Sequence, residues 1–128
     1  MRLLLDTCTF LWIVADDPAL SDKARQAFTD AANDVFFSAV SAWEIAIKHR
    51  LGKLPLPQPP EEFVPEYRSR HQISPLALEE EAALQLSRLP PHHRDPFDRM
   101  LICQAIHHGC AILSPDPDIR RYPVRTVW

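Results

Sequence analysis

Five short apolar runs, separated by stretches with helical periodicity, constrain the fold of this 128-residue chain more than any other feature. Leu3 to Leu5, Val35 to Phe37, Ile73 to Leu76, Ala111 to Leu113 and Val124 to Val127 have the length and apolar character of strands. Between them the spacing predicts helices over Phe10 to Ala15, Asp22 to Ala31, Val40 to Leu51, Glu61 to Arg70, Leu78 to Leu89 and Phe97 to His108. Both glycines, Gly52 and Gly109, fall just past a predicted helix end, where the backbone needs positive φ. The prolines gather in connections, "LPLPQPP" from Leu54 to Pro60 and "LPPHHRDP" from Leu89 to Pro96. Strands that alternate with helices predict an α/β domain, with a mostly parallel sheet covered on both faces and right-handed crossovers. No linker splits the chain, so residues 1–128 read as a single domain.

Charge and cysteine content narrow the function classes. The longest uninterrupted apolar run, Phe10 to Ala15, is far short of a membrane span. Asp6 interrupts the apolar start and no small-residue cleavage site follows, which disfavours a secretory signal and favours a cytoplasmic setting. Cys8, Cys103 and Cys110 are odd in number and form no C-x-x-C pair, so reduced, mostly buried thiols are expected. A zinc site from Cys103, His107, His108 and Cys110 would match no common ligand spacing. The net charge of -3 is unusual for a nucleic-acid binder, whose surface is normally basic.

The topology gathers four carboxylates at one edge of the sheet. Asp6 closes the first strand, and Asp116 follows the strand "AILS" by one proline. Glu44 sits in the first turns of the helix after the second strand. Asp98 opens a crossover helix, which runs antiparallel to the strands and therefore also starts at their carboxyl edge. At 100° per residue Glu44 shares an arc with Val40, Trp43, Ile47 and Leu51, and Asp98 shares one with Leu101, Ile102 and Ala105. A carboxylate on a core-facing stripe is costly unless it is paired, protonated or bound to a cation. Structural roles compete with this reading. Glu44 could close a capping box with Ser41, Asp95 could cap the helix that starts "DPFD", with Pro96 in its first position and Asp98 favourable against the dipole, and Asp6 and Asp116 could serve turns.

"LLLDT" at Leu3 to Thr7, "SAWEIAIK" at Ser41 to Lys48, "LPPHHRDPFDRMLICQA" at Leu89 to Ala105 and "LSPDPDIRRY" at Leu113 to Tyr122 resemble the PIN-domain proteins of VapC type, the toxins of bacterial toxin-antitoxin pairs. The resemblance covers nearly the whole chain. It implies a PIN-like three-layer fold with a five-stranded parallel sheet in the order 3-2-1-4-5, an Mg²⁺- or Mn²⁺-dependent ribonuclease activity, a homodimer and a cognate antitoxin that blocks the site. The acidic site it implies is Asp6, Glu44, Asp98 and Asp116. Asp95 is carried over only as a helix cap or outer support. Ser114 stands where many relatives have Thr, and a hydroxyl remains.

Phosphodiester hydrolysis needs a nucleophilic water, neutralisation of charge on the phosphate oxygens and a stabilised leaving oxygen, and divalent ions meet all three needs. Mg²⁺ prefers oxygen ligands and retains waters, so no His or Cys is required. Asp6 and Asp98 are the expected main ligands, with Asp116 on the same or a second ion and Glu44 orienting or deprotonating the water. An acidic pocket of this kind uses the metal as its phosphate-binding charge, which reconciles the net acidity with an RNA substrate such as tRNA. Lys48, His49, Arg50, Lys53, Arg120, Arg121 and Arg125 are candidate flanking cations. Arg99 is expected to pair with an acid or a phosphate, and Thr7, Ser41 and Ser114 to support metal-bound waters or local backbone bonds. Two other classes fit less of the pattern. A haloacid-dehalogenase-type phosphatase would need a second Asp where Cys8 stands, and a noncatalytic PIN-like interaction domain would not need all four acids. The region Leu54 to Arg70, with Phe63, Val64 and Tyr67, is the candidate homodimer face or antitoxin groove, with core packing as the competing role.

Overall fold

A computed structural model describes all residues, 1–128. The chain runs β1 (Arg2–Leu5), α1 (Thr7–Ala15), α2 (Asp22–Thr29), β2 (Asp34–Ser38), α3 (Ala39–Arg50), α4 (Pro60–Arg70), β3 (Ser74–Leu76), α5 (Glu80–Leu84), α6 (Pro96–His108), β4 (Ala111–Leu113) and β5 (Thr126–Val127). Two 3₁₀ turns, Gln85–Arg88 and Ile119–Arg121, extend α5 and precede β5. The strands form one parallel sheet in the order β3-β2-β1-β4-β5, the order that the resemblance implies.

β1 lies at the centre, and its continuous apolar run follows from burial on both faces. Leu3 and Leu5 point to one side with Phe10, Ile13, Ala24 and Phe63, while Leu4 points to the other with Val40, Leu101, Ile102 and Ile119. All three leucines are fully buried, each contributing about 1.5–3 kcal/mol of transfer free energy. Phe10 stacks on Phe37 at 4.1 Å between ring centres and meets Phe63 edge-on at 6.4 Å, which locks α1 and α4 onto β2.

Several boundaries depart from expectation for physical reasons. α1 begins at Thr7 rather than Phe10, because the Asp6 side chain caps it by accepting from the Thr9 amide. The long helix expected over Leu78 to Leu89 is only α5 and its 3₁₀ extension. Leu78, Leu84 and Leu86 are exposed and only Ala82 and Leu89 are buried, so few of its apolar residues reach the core to hold a longer helix. β3 starts at Ser74 and carries Pro75, whose missing N–H is tolerated on an edge strand. β5 is two residues long and leaves Val124 outside. Gly109 caps α6 at φ 68°, and Gly52 follows the end of α3 at φ 72°.

α3 corrects two sequence expectations. Ser38, not Ser41, is its N-cap, accepting from the Val40 amide, so Ser41 and Glu44 form no capping box. The supposed apolar stripe around Glu44 is also broken. Val40 and Glu44 are buried, whereas Trp43 is 61% and Leu51 62% exposed.

Candidate active site

Because parallel strands share one direction, the chain leaves β1, β2 and β4 at the same edge, and each exit delivers polar side chains there. Asp6 leaves β1 buried. Its Oδ1 accepts from the Thr9 amide at 2.7 Å, and its Oδ2 accepts from the Ser114 hydroxyl at the end of β4. Burial pushes its pKa up, the bonds from Ser114 and Thr9 pull it down, and the charge of Asp116 adds to the rise. Glu44 is buried one and a half turns into α3. The Thr7 hydroxyl donates to its Oε1 at 2.6 Å, and the Lys48 ammonium, one turn further along, donates to its Oε2 and gains a higher pKa from that bond.

Asp98 is half-buried in the first turn of α6. Asp95 caps that helix by accepting from the Phe97 and Asp98 amides at 2.9 and 3.0 Å, with Pro96 in the first helical position, as the sequence predicts. Burial, followed by the charge of Asp95, raises the Asp98 pKa to about 7. A contact from His93 opposes the rise, and Asp116 and Asp6 add to it. Asp116 is held by a local turn, its amide donating to Ser114 at 3.1 Å and its Oδ1 accepting from the Asp118 amide at 2.9 Å. Asp6, Asp98 and Asp116 therefore share one electrostatic field. Cys8 lies beside it, its thiol pushed up first by burial around the sulfur and then by the charges of Asp6 and Glu44. Cys8 is nevertheless exposed, unlike Cys103 and Cys110 and contrary to the expectation for it.

His93 and Tyr122 have no counterpart in the sequence reading. Tyr122, buried behind the 3₁₀ turn before β5, receives the His93 amide at 3.1 Å and an Arg99 N–H at 3.3 Å on its hydroxyl oxygen. Its own proton is thus free for His93 Nδ1 at 2.7 Å, which leaves Nε2–H facing Asp98 Oδ2 at 3.4 Å. Both residues lie inside the quoted motifs, but no local signal joins positions 29 apart. Arg99 pairs with no acid. It donates to the carbonyls of Pro90 and His93, both at 3.2 Å, and so pins the proline-rich loop. Ser41 is buried with its hydroxyl unpartnered rather than bonded to a carboxylate.

The rim is mixed in character. Lys48 is committed to Glu44, while Arg121 donates to the His92 carbonyl at 2.7 Å and lies 3.6 Å from Asp118. Arg50, Lys53, Arg120 and Arg125 are exposed. Trp43, next to Glu44, meets Phe97, next to Asp98, edge to face at 5.2 Å. Away from the acids, Phe63 and Val64 join the core, and Tyr67 lines an apolar groove with Leu11, Val14, Leu54 and Leu56.

An oxygen-only set of partly desolvated carboxylates at the carboxyl edge of a parallel sheet suits a hard divalent cation. The chain belongs to the PIN domain family, whose model matches residues 3–125. It is similar to ribonuclease VapC16 of Mycobacterium tuberculosis, with 45% identity over 58 residues, 45% of this chain and 41% of that protein. The match thus spans less than half of the curated relative. In structure it resembles VapBC2 from Rickettsia felis bound to a DNA fragment from its promoter, with a TM-score of 0.74, 12% identity, and 98% of this chain and 97% of that one covered. DNA-bound VapBC from Salmonella typhimurium gives a TM-score of 0.72 at 18% identity, with 98% and 96% covered. At these identities the solved structures speak for the fold alone. No helix is long and apolar enough to cross a membrane.

Proposed function

We propose that this protein, as one PIN domain over residues 1–128, is a divalent-cation-dependent endoribonuclease and the toxin of a toxin-antitoxin pair. The observation that carries the reading is the delivery of Asp6 from the end of β1, Asp98 from the first turn of α6 and Asp116 from just after β4 to one edge of the sheet, with Ser114 bonded to both Asp6 and the Asp116 amide, and with burial raising the pKa of Asp6 and Asp98 in a way that a cation would relieve. Asp6 and Asp98 would hold Mg²⁺ or Mn²⁺, with Asp116 on the same or a second ion. The bound ion supplies neutralising charge for the phosphate oxygens and lowers the pKa of a water.

The protein's own groups do the positioning. Thr9 and Ser114 set the two oxygens of Asp6 from two different segments of the chain. Glu44, held by Thr7 on one oxygen and Lys48 on the other, keeps a lone pair on each for the attacking water. His93, fixed by Tyr122, directs an N–H at Asp98. Exposed Trp43, backed edge to face by half-buried Phe97, offers a face on which an RNA base stacks beside the scissile phosphate, and Arg50, Lys53 and Arg120 steer the backbone. Three of the similar solved structures are described as VapBC, two of them bound to DNA. By analogy the groove of Leu11, Leu54, Leu56 and Tyr67 takes an antitoxin segment, in a cytoplasmic homodimer whose RNA target includes tRNA among the candidates.

The test is incubation of the purified protein with total bacterial RNA and Mg²⁺ or Mn²⁺, beside an EDTA control and Asp98→Asn. Discrete fragments that need both the metal and Asp98 are expected. Absence of cleavage by the folded protein with either metal, or full activity in Asp98→Asn, would overturn the reading.

A further inference from the structure

α6 carries Asp98 at its first turn and His107 and His108 at its last, about 15 Å further along the helix axis. That far end lies at the opposite, amino edge of the sheet, where Arg2 at the start of β1 donates to the His108 carbonyl at 3.1 Å. Three metal-ligand side chains meet there. Glu79 Oε2 is 3.6 Å from His107 Nε2, its Oε1 is 3.9 Å from His108 Nε2, and one ligand atom of each residue lies within 4.8 Å of the other two.

These separations are too long for hydrogen bonds. The two carboxylate–imidazole distances are within about 0.5 Å of the roughly 3.4 Å between neighbouring ligands of a tetrahedral ion with bonds of about 2.0–2.1 Å, and side-chain adjustment of up to about 1.4 Å draws all three ligand atoms into that geometry. Two further features point to an absent occupant. His108 Nε2 is buried without any hydrogen-bond partner, a costly state for an imidazole nitrogen. Glu79 occupies the N-cap position of α5 but makes no capping bond, its carboxylate turning to the two imidazoles instead. The C-terminal end of the α6 dipole also favours a cation.

We propose that Glu79, His107 and His108 form a second metal site, distinct from the acidic one, which binds a borderline transition ion of the Zn²⁺ class. Two imidazoles and one carboxylate leave a fourth position for water, and this nitrogen-rich set selects against the Mg²⁺ or Mn²⁺ suited to the all-oxygen cluster. Side-chain exposures of 50% for Glu79 and 32% for His107 open the cluster to solvent, while His108 Nε2 itself is buried. Glu79, and not Cys103 or Cys110, completes the set with these histidines, since both cysteines are buried with thiols pushed up by desolvation. A bound ion ties the start of α5, a helix of five residues, to the end of α6, so the site is a structural clamp on the shortest α-helix of the fold.

The experiment titrates Zn²⁺ into EDTA-stripped, desalted protein in the presence of millimolar Mg²⁺, read by calorimetry and by thermal melting, with Co²⁺ as a visible-absorption probe. One equivalent of Zn²⁺ should bind and raise Tm. Glu79→Gln and His108→Ala should each weaken binding by about tenfold or more, while Asp98→Asn should leave it unchanged. Should His108→Ala not fold, exposed Glu79→Gln carries the test alone. No binding above the Mg²⁺ background, equal affinity in Glu79→Gln, or loss of binding in Asp98→Asn would overturn the proposal. None of these readouts depends on nuclease activity.

Discussion

The hydroxyl of Ser114 donates to the carboxylate of Asp6, joining two positions 108 residues apart in the chain. The contact is a consequence of register. Leu5 pairs with Leu113 across β1 and β4, so the next residue on each strand emerges at the same edge. This bond favours the ionised form of Asp6 and opposes the effect of burial.

Ser114→Ala should therefore raise the Asp6 pKa further, lower the charged fraction at neutral pH and move the acidic limb of the cleavage profile to higher pH. Ser114→Thr keeps the hydroxyl and should keep the wild-type profile. The pH dependence of kcat/KM for the three proteins decides the matter, and superimposed profiles would remove Ser114 from the assignment.

With a folded pKa of about 7 against an ordinary value of 3.8, Asp98 binds its proton more tightly in the native state. Its contribution to stability is full below about pH 4, declines as the pH rises toward 7, and is gone above that. In EDTA, wild type should lose Tm relative to Asp98→Asn as the pH rises from about 4 to 7. Divalent-cation affinity, which needs the carboxylate, should rise over the same interval. A Tm difference independent of pH would contradict the burial argument.

Tyr122→Phe removes an oxygen that serves the His93 amide, His93 Nδ1 and an Arg99 N–H. Stranding these groups should cost about 1–3 kcal/mol in denaturant melts and lower kcat by freeing the imidazole that faces Asp98. Unchanged kcat would confine this network to fold stability.

Trp43→Ala should leave stability within about 0.5 kcal/mol, as for a surface site, but raise KM for RNA about tenfold, in line with roughly 1–3 kcal/mol per stacked base. Steady-state kinetics on a short cleaved oligonucleotide would show it as a KM effect with kcat retained. An unchanged KM would remove the aromatic pair from substrate binding.

Local chemistry in the sequence determined the alternating elements and the capping of α6 by Asp95 and Pro96, the alternation placed the four acids at one edge, and the strand order came only through the resemblance to PIN domains. Element type and helix caps depend on residues within a few positions of one another, and parallel direction follows from helical crossovers between strands, so periodicity and cap residues carry them. Only the tertiary structure decided which groups meet: Thr7 with Glu44 across 37 residues, His93 with Tyr122 across 29, and Glu79 with the last turn of α6. These contacts depend on strand register and on the rotation of each helix about its axis. Whether the cap is Ser41 or Ser38, three residues earlier, and whether Trp43 faces core or solvent leaves the hydrophobic pattern of α3 unaltered while changing every partner its side chains can reach.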